Sequence, residues 1–176
     1  MDSDELLTTW VAVYADRLVR LAYTYVRDQA TAEDRVQDAF IKAYRSWHQF
    51  TYGDEPFPWL ARIVINECRS FQRRHWREVV MSVLPEPARD SAEEEVLGLV
   101  RDEALHEAVL ALPEKYRLPL VLFYFEGLAS QDVARILGTT PGTIRTRLNR
   151  GRGRLRRLLK EDDPHGTGIT RSETGV

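Results

Sequence analysis

The chain has 176 residues, 43% of them hydrophobic, and a formal net charge of −2, which places it among ordinary globular proteins of one or two small domains. A single cysteine, Cys68, excludes an intrachain disulfide, and no Cys or His cluster has the spacing of zinc ligands. Since the N-terminus is acidic and no apolar run approaches the roughly 18–20 residues that span a bilayer, we predict a cytoplasmic chain without signal peptide or membrane insertion.

Two helices open the chain. Apolar residues recur every three or four positions from Leu6 to Val26, which predicts the first helix. Thr31 followed by Asp34 approximates a capping box, and an apolar stripe follows it. The second helix is therefore predicted to begin near Thr31 and to run to about His48.

A loop, a third helix and a linker come next. The loop "TYGDEPFP" contains Gly53 and two prolines, which forbid helix continuation, and Pro58 suits the first turn of the helix "WLARIVINECRSFQRRHW". The helical pattern lapses around Pro85 and Pro87, where the chain is acidic and poor in large apolar residues. We therefore predict a flexible linker over residues 79–91.

The second half of the chain is again helical. Ser91 predicts a helix that runs through Leu112, and Pro113 restarts a helix that Gly127 stops. No period-two alternation is long enough for a sheet, so the fold is predicted as all-α, with two small helical domains joined by the linker. The polar, glycine-bearing residues 161–176 are predicted to be disordered.

The segment "LASQDVARILGTTPGTIRTRLNRGRGRL" has the pattern of a helix-turn-helix. Ser130 is predicted to cap the first helix, and Gly138 suits the left-handed residue that follows its end. Thr140 is predicted to cap the second helix, whose first residue is Pro141.

The second helix of this unit has an apolar stripe, which includes Gly151, and an opposite face that is small, polar and basic. Residues 141–160 hold eight Lys or Arg and no acid, whereas residues 86–107 hold eight acids and two arginines, a separation that indicates a polyanion-binding surface. Such a face can approach phosphates and base edges in a DNA groove. The candidate DNA-binding residues here are Gly142, Thr143, Arg145, Thr146, Arg147, Asn149 and Arg150. Farther along, Arg152, Arg154, Arg156 and Arg157 are better placed to neutralise the backbone.

Two simpler explanations of the basic helix are a solvated cationic face and a membrane-surface helix. The preceding apolar helix, the glycine turn and the Thr-Pro start favour DNA recognition over both. The absence of Trp and Phe on the basic helix disfavours the membrane surface in particular.

Three segments, in order, resemble the extracytoplasmic-function sigma factors of bacterial RNA polymerase. "TAEDRVQDAFIKAYRSW" resembles the segment that binds core polymerase, and "FPWLARIVINECRSFQRR" the segment that recognises and melts the minus-10 element. "LPEKYRLPLVLFYFEGLASQDVARILGTTPGTIRTRLNRGRGRL" resembles the minus-35-binding domain. The resemblance implies a region 2-like domain over residues 1–78, the linker over 79–91, a region 4-like domain over 92–160 and a tail over 161–176.

The resemblance also implies site residues. The polymerase-binding surface of the second helix would consist of Asp34, Gln37, Asp38, Lys42 and Arg45. The minus-10 contacts of the third helix would be Arg62, Asn66, Arg69, Arg73 and Arg74. Asn66 matches the family's asparagine near the flipped base, and residues 50–57 are the candidate base pocket. Two alternatives stay open, a solvated face for Asp34 and Asp38 and an Asn66 amide bonded to its own backbone.

By this resemblance the chain directs core RNA polymerase to promoter DNA, needs no cofactor or metal, and is held inactive by an anti-sigma factor, often a membrane-anchored one. It shows no phosphate-binding glycine loop after a strand and no nucleophile elbow, so nothing in the sequence supports an enzyme. Two alternatives of other classes are a stand-alone helix-turn-helix regulator of duplex operators and an interaction module whose basic helix meets an acidic partner.

Overall fold

The structure, a computed structural model, describes residues 3–51, 55–81 and 103–161. In these ranges the chain is helical and contains no strand, so the all-α prediction is confirmed. The elements are α1 (Ser3–Val26), α2 (Gln29–Arg45), a 3-10 turn (Trp47–Gln49), α3 (Pro56–Met81), α4 (Glu103–Ala111), α5 (Glu114–Leu120), a π-helical turn (Val121–Phe125), α6 (Ser130–Leu137) and α7 (Pro141–Glu161).

Helices α1, α2 and α3 pack against one another around a core of large apolar side chains. At one end of this bundle four aromatic rings meet, with the ring of Trp10 5.2 Å from Trp47, 4.9 Å from Phe50 and 6.1 Å from Trp59. Aromatic rings at such separations stabilise one another beyond the area that they bury. Trp59 therefore packs, half-buried, against the core.

The start of α2 differs from the prediction. The N-cap is Asp28, whose carboxylate accepts a hydrogen bond of 2.8 Å from the Thr31 amide, so Thr31 lies inside the helix. Arg27 has a positive φ of 56°, which reverses the chain between α1 and α2 within two residues. The predicted capping box at Thr31 is wrong because an acid three residues earlier already satisfies that amide. The helix also ends at Arg45, before His48.

The third helix begins two residues before Pro58, and α3 continues to Met81, three residues into the predicted linker. The predicted helix start at Ser91 lies outside the described residues, as does the tail from residue 162 onward.

In the C-terminal half α7 packs against α4, α5 and α6. Gly127 and Gly138 have φ of 68° and 65°, so each ends its helix in the left-handed conformation, as predicted. Gly151 is buried against α5, where a Cβ would lie 3.0 Å from Leu120 Cδ1. Glycine at this position therefore lets α7 pack closely against α5.

The two helices of the helix-turn-helix have different N-caps. At α7 the Thr140 hydroxyl accepts a hydrogen bond of 3.2 Å from the Thr143 amide, which confirms the predicted cap. At α6 the N-cap is Ala129, and Ser130 is the first helical residue with no capping hydrogen bond from its side chain. The predicted Ser130 cap is wrong by one position, and Ser130 instead lines a cavity beside α7.

The two halves of the chain touch each other. Arg17 of α1 pairs with Glu126 at 3.0 Å, and the Glu126 side chain is only 3% exposed. Arg27 donates to the Leu110 carbonyl at the end of α4, and α6 packs against α3. These contacts bring the face of α3 that carries the predicted minus-10 residues close to the C-terminal half.

Candidate nucleic-acid interface

Four of the five predicted minus-10 residues lie along one face of α3. Arg62, Asn66, Arg69 and Arg73 follow one another at intervals of four, three and four residues, which is the repeat of a helix face. We call these four residues the α3 stripe. Arg74 is exposed but follows Arg73 directly, so it points about 100° away from the stripe.

Asn66 is exposed at the middle of the stripe. Its side-chain amide makes no hydrogen bond to any described residue. The structure therefore does not show the alternative in which this amide is bonded to its own backbone. Both the donor and the acceptor of this side chain are therefore available to a nucleotide base.

The predicted base pocket lies at the N-terminal end of the stripe. Phe57 is buried in the core, Phe50 packs on Trp10, and residues 52–54 lie outside the described ranges. Glu55 accepts a hydrogen bond of 3.1 Å from the Tyr14 hydroxyl. Burial and this carboxylate raise the pKa of Tyr14 above its usual value. In the described residues Glu55 is thus held by Tyr14.

Both ends of the α3 stripe face the C-terminal half. At one end Arg62 lines a cavity of about 310 Å³ together with Trp59 and with Asp132 of α6. Toward the other end Arg69 donates to the Tyr25 hydroxyl at 3.3 Å and to Glu114 of α5 at 3.5 Å, and Arg73 borders the same cavity as Glu114. The stripe therefore lies along the cleft between the two halves.

The part of that cleft toward the C-terminal end of α3 contains arginine side chains and aromatic rings. A cavity of about 760 Å³ there is lined by Tyr25, Arg69, Gln72, Arg73, Trp76, Arg77 and Glu114. Burial and the nearby Glu114 raise the pKa of Tyr25, so its hydroxyl stays protonated. Trp76, which the sequence leaves without a role, is 68% exposed at this rim.

The predicted polymerase-binding residues lie on the outer surface of α2. Asp34, Gln37, Lys42 and Arg45 are exposed, and Asp38 is half-buried. Asp38 pairs with Arg35 at 3.1 Å, and Lys42 pairs with the buried Glu67 of α3. The sequence prediction overlooked Ile41, an apolar side chain 50% exposed within this surface, although its position off the apolar stripe was a usable signal.

The two faces of α7 are separated as predicted. Ile144 and Leu148 are buried against the C-terminal core. Five candidate DNA-binding residues are exposed, namely Gly142, Arg145, Thr146, Asn149 and Arg150. Two others are half-buried, Thr143 and Arg147. Thr146 donates a hydrogen bond of 3.1 Å to the Gly142 carbonyl, which fixes its rotamer.

No arginine of α7 is paired with a carboxylate among the described residues. Arg154 lies 5.0 Å from the centroid of the Tyr116 ring, and Arg152 contacts Tyr124 and Asn149. Because these cations have no acidic partner, their charge is available to phosphates.

Comparisons with known proteins agree on one family. The Sigma-70 region 2 family matches residues 10–78, and the Sigma-70, region 4 family matches residues 102–155. The chain is 30% identical over 170 residues to the ECF RNA polymerase sigma factor SigW of Bacillus subtilis, covering 86% of this chain and 87% of that protein. The chain belongs to the extracytoplasmic-function (ECF) sigma factors.

Other relatives extend this comparison. The ECF sigma factor SigE of Mycolicibacterium smegmatis is 37% identical over 155 residues, which are 85% of this chain but 60% of that protein. The solved sigma factor RpoE of Bartonella quintana, in complex with the anti-sigma factor NepR, superposes with a TM-score of 0.72 at 32% identity. That superposition covers 88% of this ECF sigma factor and 97% of RpoE.

The described residues contain neither a candidate membrane span nor a candidate metal site. No helix there is long and apolar enough to cross a membrane. No group of three or more His, Cys, Asp or Glu side chains there could hold a metal ion.

Proposed function

We propose that this ECF sigma factor brings core RNA polymerase to promoters through three separate surfaces. The polar face of α2 would bind the polymerase, the α3 stripe would open the minus-10 element, and the exposed face of α7 would read the minus-35 element. The observation that carries the proposal is the ordered match to regions 2 and 4, the second of which includes most of the basic residues 141–160, where eight Lys or Arg and no acid stand. The domains proposed are residues 1–78 and 92–160, with the linker 79–91 and the tail 161–176.

The charge of the chain supports a division of labour between the sigma factor and the polymerase. Nonspecific DNA affinity follows the number of phosphates neutralised, and this chain has a net charge of −2. The cations of α7 are concentrated where a groove would be read, which favours positioning over strong binding. We therefore expect weak promoter binding by the isolated chain and tight binding by the holoenzyme.

Strand opening requires a base to leave the stack, which costs a few kcal/mol that a binding surface must offset. In the α3 stripe the amide of Asn66 is free to pair with such a base, and Arg62 and Arg73 flank it to hold the backbone. Of the three surfaces, this one would carry the melting step.

Control by an anti-sigma factor is part of the proposal. It is supported by the superposition on RpoE, a sigma factor solved with its anti-sigma factor NepR. The inhibitor would mask the polymerase-binding face of α2, and the resemblance implies that it is anchored in a membrane while the sigma factor acts in the cytoplasm.

Run-off transcription with purified core polymerase tests the function. A sigma factor gives promoter-specific transcripts, whereas a stand-alone regulator shifts operator DNA without core polymerase and an interaction module does neither. Arg145→Ala should reduce transcription from a promoter with an intact minus-35 element by about 5- to 100-fold, the usual worth of a bidentate arginine contact. On a promoter with a scrambled minus-35 element the variant should equal the wild type, and both should bind core polymerase alike.

The role of Asn66 needs an assay of opening alone. Asn66→Ala should lower permanganate reactivity of minus-10 thymines more than it lowers closed-complex formation. Asn149→Ala, the same chemical change in α7, is the matched control and should lower complex formation without changing the open fraction. Equal open fractions in Asn66→Ala and the wild type would remove Asn66 from the melting step.

A further inference from the structure

Three polar side chains form a chain of contacts beside the exposed face of α7. Arg152 donates a hydrogen bond of 2.8 Å to the Tyr124 hydroxyl, and its other terminal nitrogen lies 3.4 Å from Asn149 Oδ1. Tyr124 belongs to the π-helical turn, 28 residues earlier in the chain, and its ring packs edge-on against Phe123 at 5.0 Å. The guanidinium is therefore held between a fixed ring and the amide of Asn149.

The chemistry of arginine settles which atom of Asn149 faces Arg152. A guanidinium has only donors, so the amide oxygen must point toward it and the amide nitrogen must point elsewhere. Arg152 holds this oxygen toward itself and competes for it, which leaves the two N–H donors of the amide nitrogen as the groups free to turn toward a partner in the groove. An unrestrained asparagine instead uses one donor and one acceptor, the combination that pairs with adenine N7 and N6.

We propose that Tyr124 and Arg152 act as positioning residues that set the base preference of Asn149. Guanine offers two neighbouring acceptors in the major groove, N7 and O6, whereas adenine offers N7 beside a donating amine. An Asn149 whose oxygen is held toward Arg152 therefore favours guanine over adenine at the base pair that it contacts. This inference rests on the proposed role of α7 in reading the minus-35 element.

The surroundings keep Arg152 in this role. Arg152 and Arg145 line one cavity of about 480 Å³ whose lining contains no carboxylate. Without an acid in that lining, the Tyr124 hydroxyl and the Asn149 oxygen are the acceptors that Arg152 contacts there. Removing the hydroxyl should free Arg152 to turn toward a phosphate, and Asn149 would then regain its acceptor.

The test is a promoter library in which each minus-35 base pair is varied and transcribed by holoenzyme. Asn149→Ala first identifies the base pair whose preference Asn149 sets. At that pair the wild type should use guanine over adenine, and Tyr124→Phe should reduce the guanine-to-adenine ratio by about fivefold or more. Arg152→Ala should reduce the same ratio. Tyr124→Phe changes no charge, and its thermal melting checks that the fold is intact.

Arg156→Ala is the matched control, since it removes one exposed arginine of α7 that, unlike Arg152, has no hydrogen bond to Asn149. It should lower transcription from all library members alike and leave the ratio unchanged. Suppose that Asn149→Ala abolishes the guanine-to-adenine preference but that Tyr124→Phe and Arg152→Ala both leave the ratio at its wild-type value. That result overturns this inference and leaves the proposed function intact. If Arg145→Ala and Asn149→Ala also change nothing, the proposed role of α7 fails with it.

Discussion

Replacement of Arg17 by methionine should separate the two halves of the chain. In the structure Arg17 pairs with Glu126 at 3.0 Å and its guanidinium carbon lies 3.8 Å from the centroid of the Phe57 ring. The Glu126 carboxylate is 3% exposed, so Arg17→Met would leave it buried without a cation. Moving the halves apart would return this carboxylate to water.

The magnitude follows from the burial of each partner. Removing one member of a fully buried ion pair costs about 3–5 kcal/mol, and because the Arg17 side chain is 33% exposed we expect about 2 kcal/mol. The contact with Phe57 lies within the N-terminal half, so its loss affects the closed and the separated states alike and does not change the balance between them. About 2 kcal/mol shifts the equilibrium between closed and separated halves roughly 30-fold. Glu126→Gln should cost only about 1 kcal/mol, because Arg17 can still reach water.

Single-molecule fluorescence transfer between Val13→Cys and Gln131→Cys measures this separation. Both positions are exposed, on α1 and α6, while Cys68 is buried and stays unlabelled. Arg17→Met should lengthen the distance strongly and Glu126→Gln weakly, and Arg45→Met, an exposed arginine on α2, should leave it unchanged. If Glu126→Gln matches Arg17→Met, or if neither moves the distance, the argument from the buried carboxylate is refuted.

Two further predictions concern packing and ionisation. Gly153→Ala should raise the free energy of unfolding by about 1 kcal/mol, since its Cβ meets nothing within 4 Å. Gly151→Ala should leave the free energy of unfolding without such a gain, because its Cβ would lie 3.0 Å from Leu120. Urea denaturation of the two variants compares these values. Burial raises the pKa of Cys68 to about 12, above the value of about 8.5 in an unfolded chain. The neutral thiol thus stabilises the fold below the unfolded pKa. This contribution should fall by about 1.4 kcal/mol per pH unit from about pH 9 toward 12, a slope that Cys68→Ala lacks.

The helices could be predicted because their signals are local and repeated. The apolar period of α1 and α7 is set by many residues at once, so no single misjudged side chain changes the result. Helix starts depend on one side chain each, and here two candidates competed. Asp28 supplied the cap that Thr31 was expected to supply, and at α6 the chain uses Ala129, which has no capping group.

The site residues on each helix could likewise be placed from the sequence, because a helix fixes which residues share a face. The spacing of Arg62, Asn66 and Arg69 already places them on one side of α3. What this spacing does not contain is the neighbour of that side. Glu114 follows Arg69 by 45 residues, and the Tyr124–Arg152 contact spans 28 residues, so both depend on tertiary packing.

In the structure α5 and α6 lie on the side of α3 that carries the stripe, where the proposed minus-10 contacts would be made. Arg69 is bonded to Tyr25 and Glu114, and Arg62 faces a cavity of about 310 Å³ bordered by α6. The major groove of DNA alone is about 12 Å wide, so a duplex cannot lie along α3 while α5 and α6 occupy that side. Binding of minus-10 DNA along the stripe therefore requires α5 and α6 to move away. Because the Arg17–Glu126 pair opposes this movement, Arg17→Met should bind minus-10 duplex DNA more tightly than the wild type does.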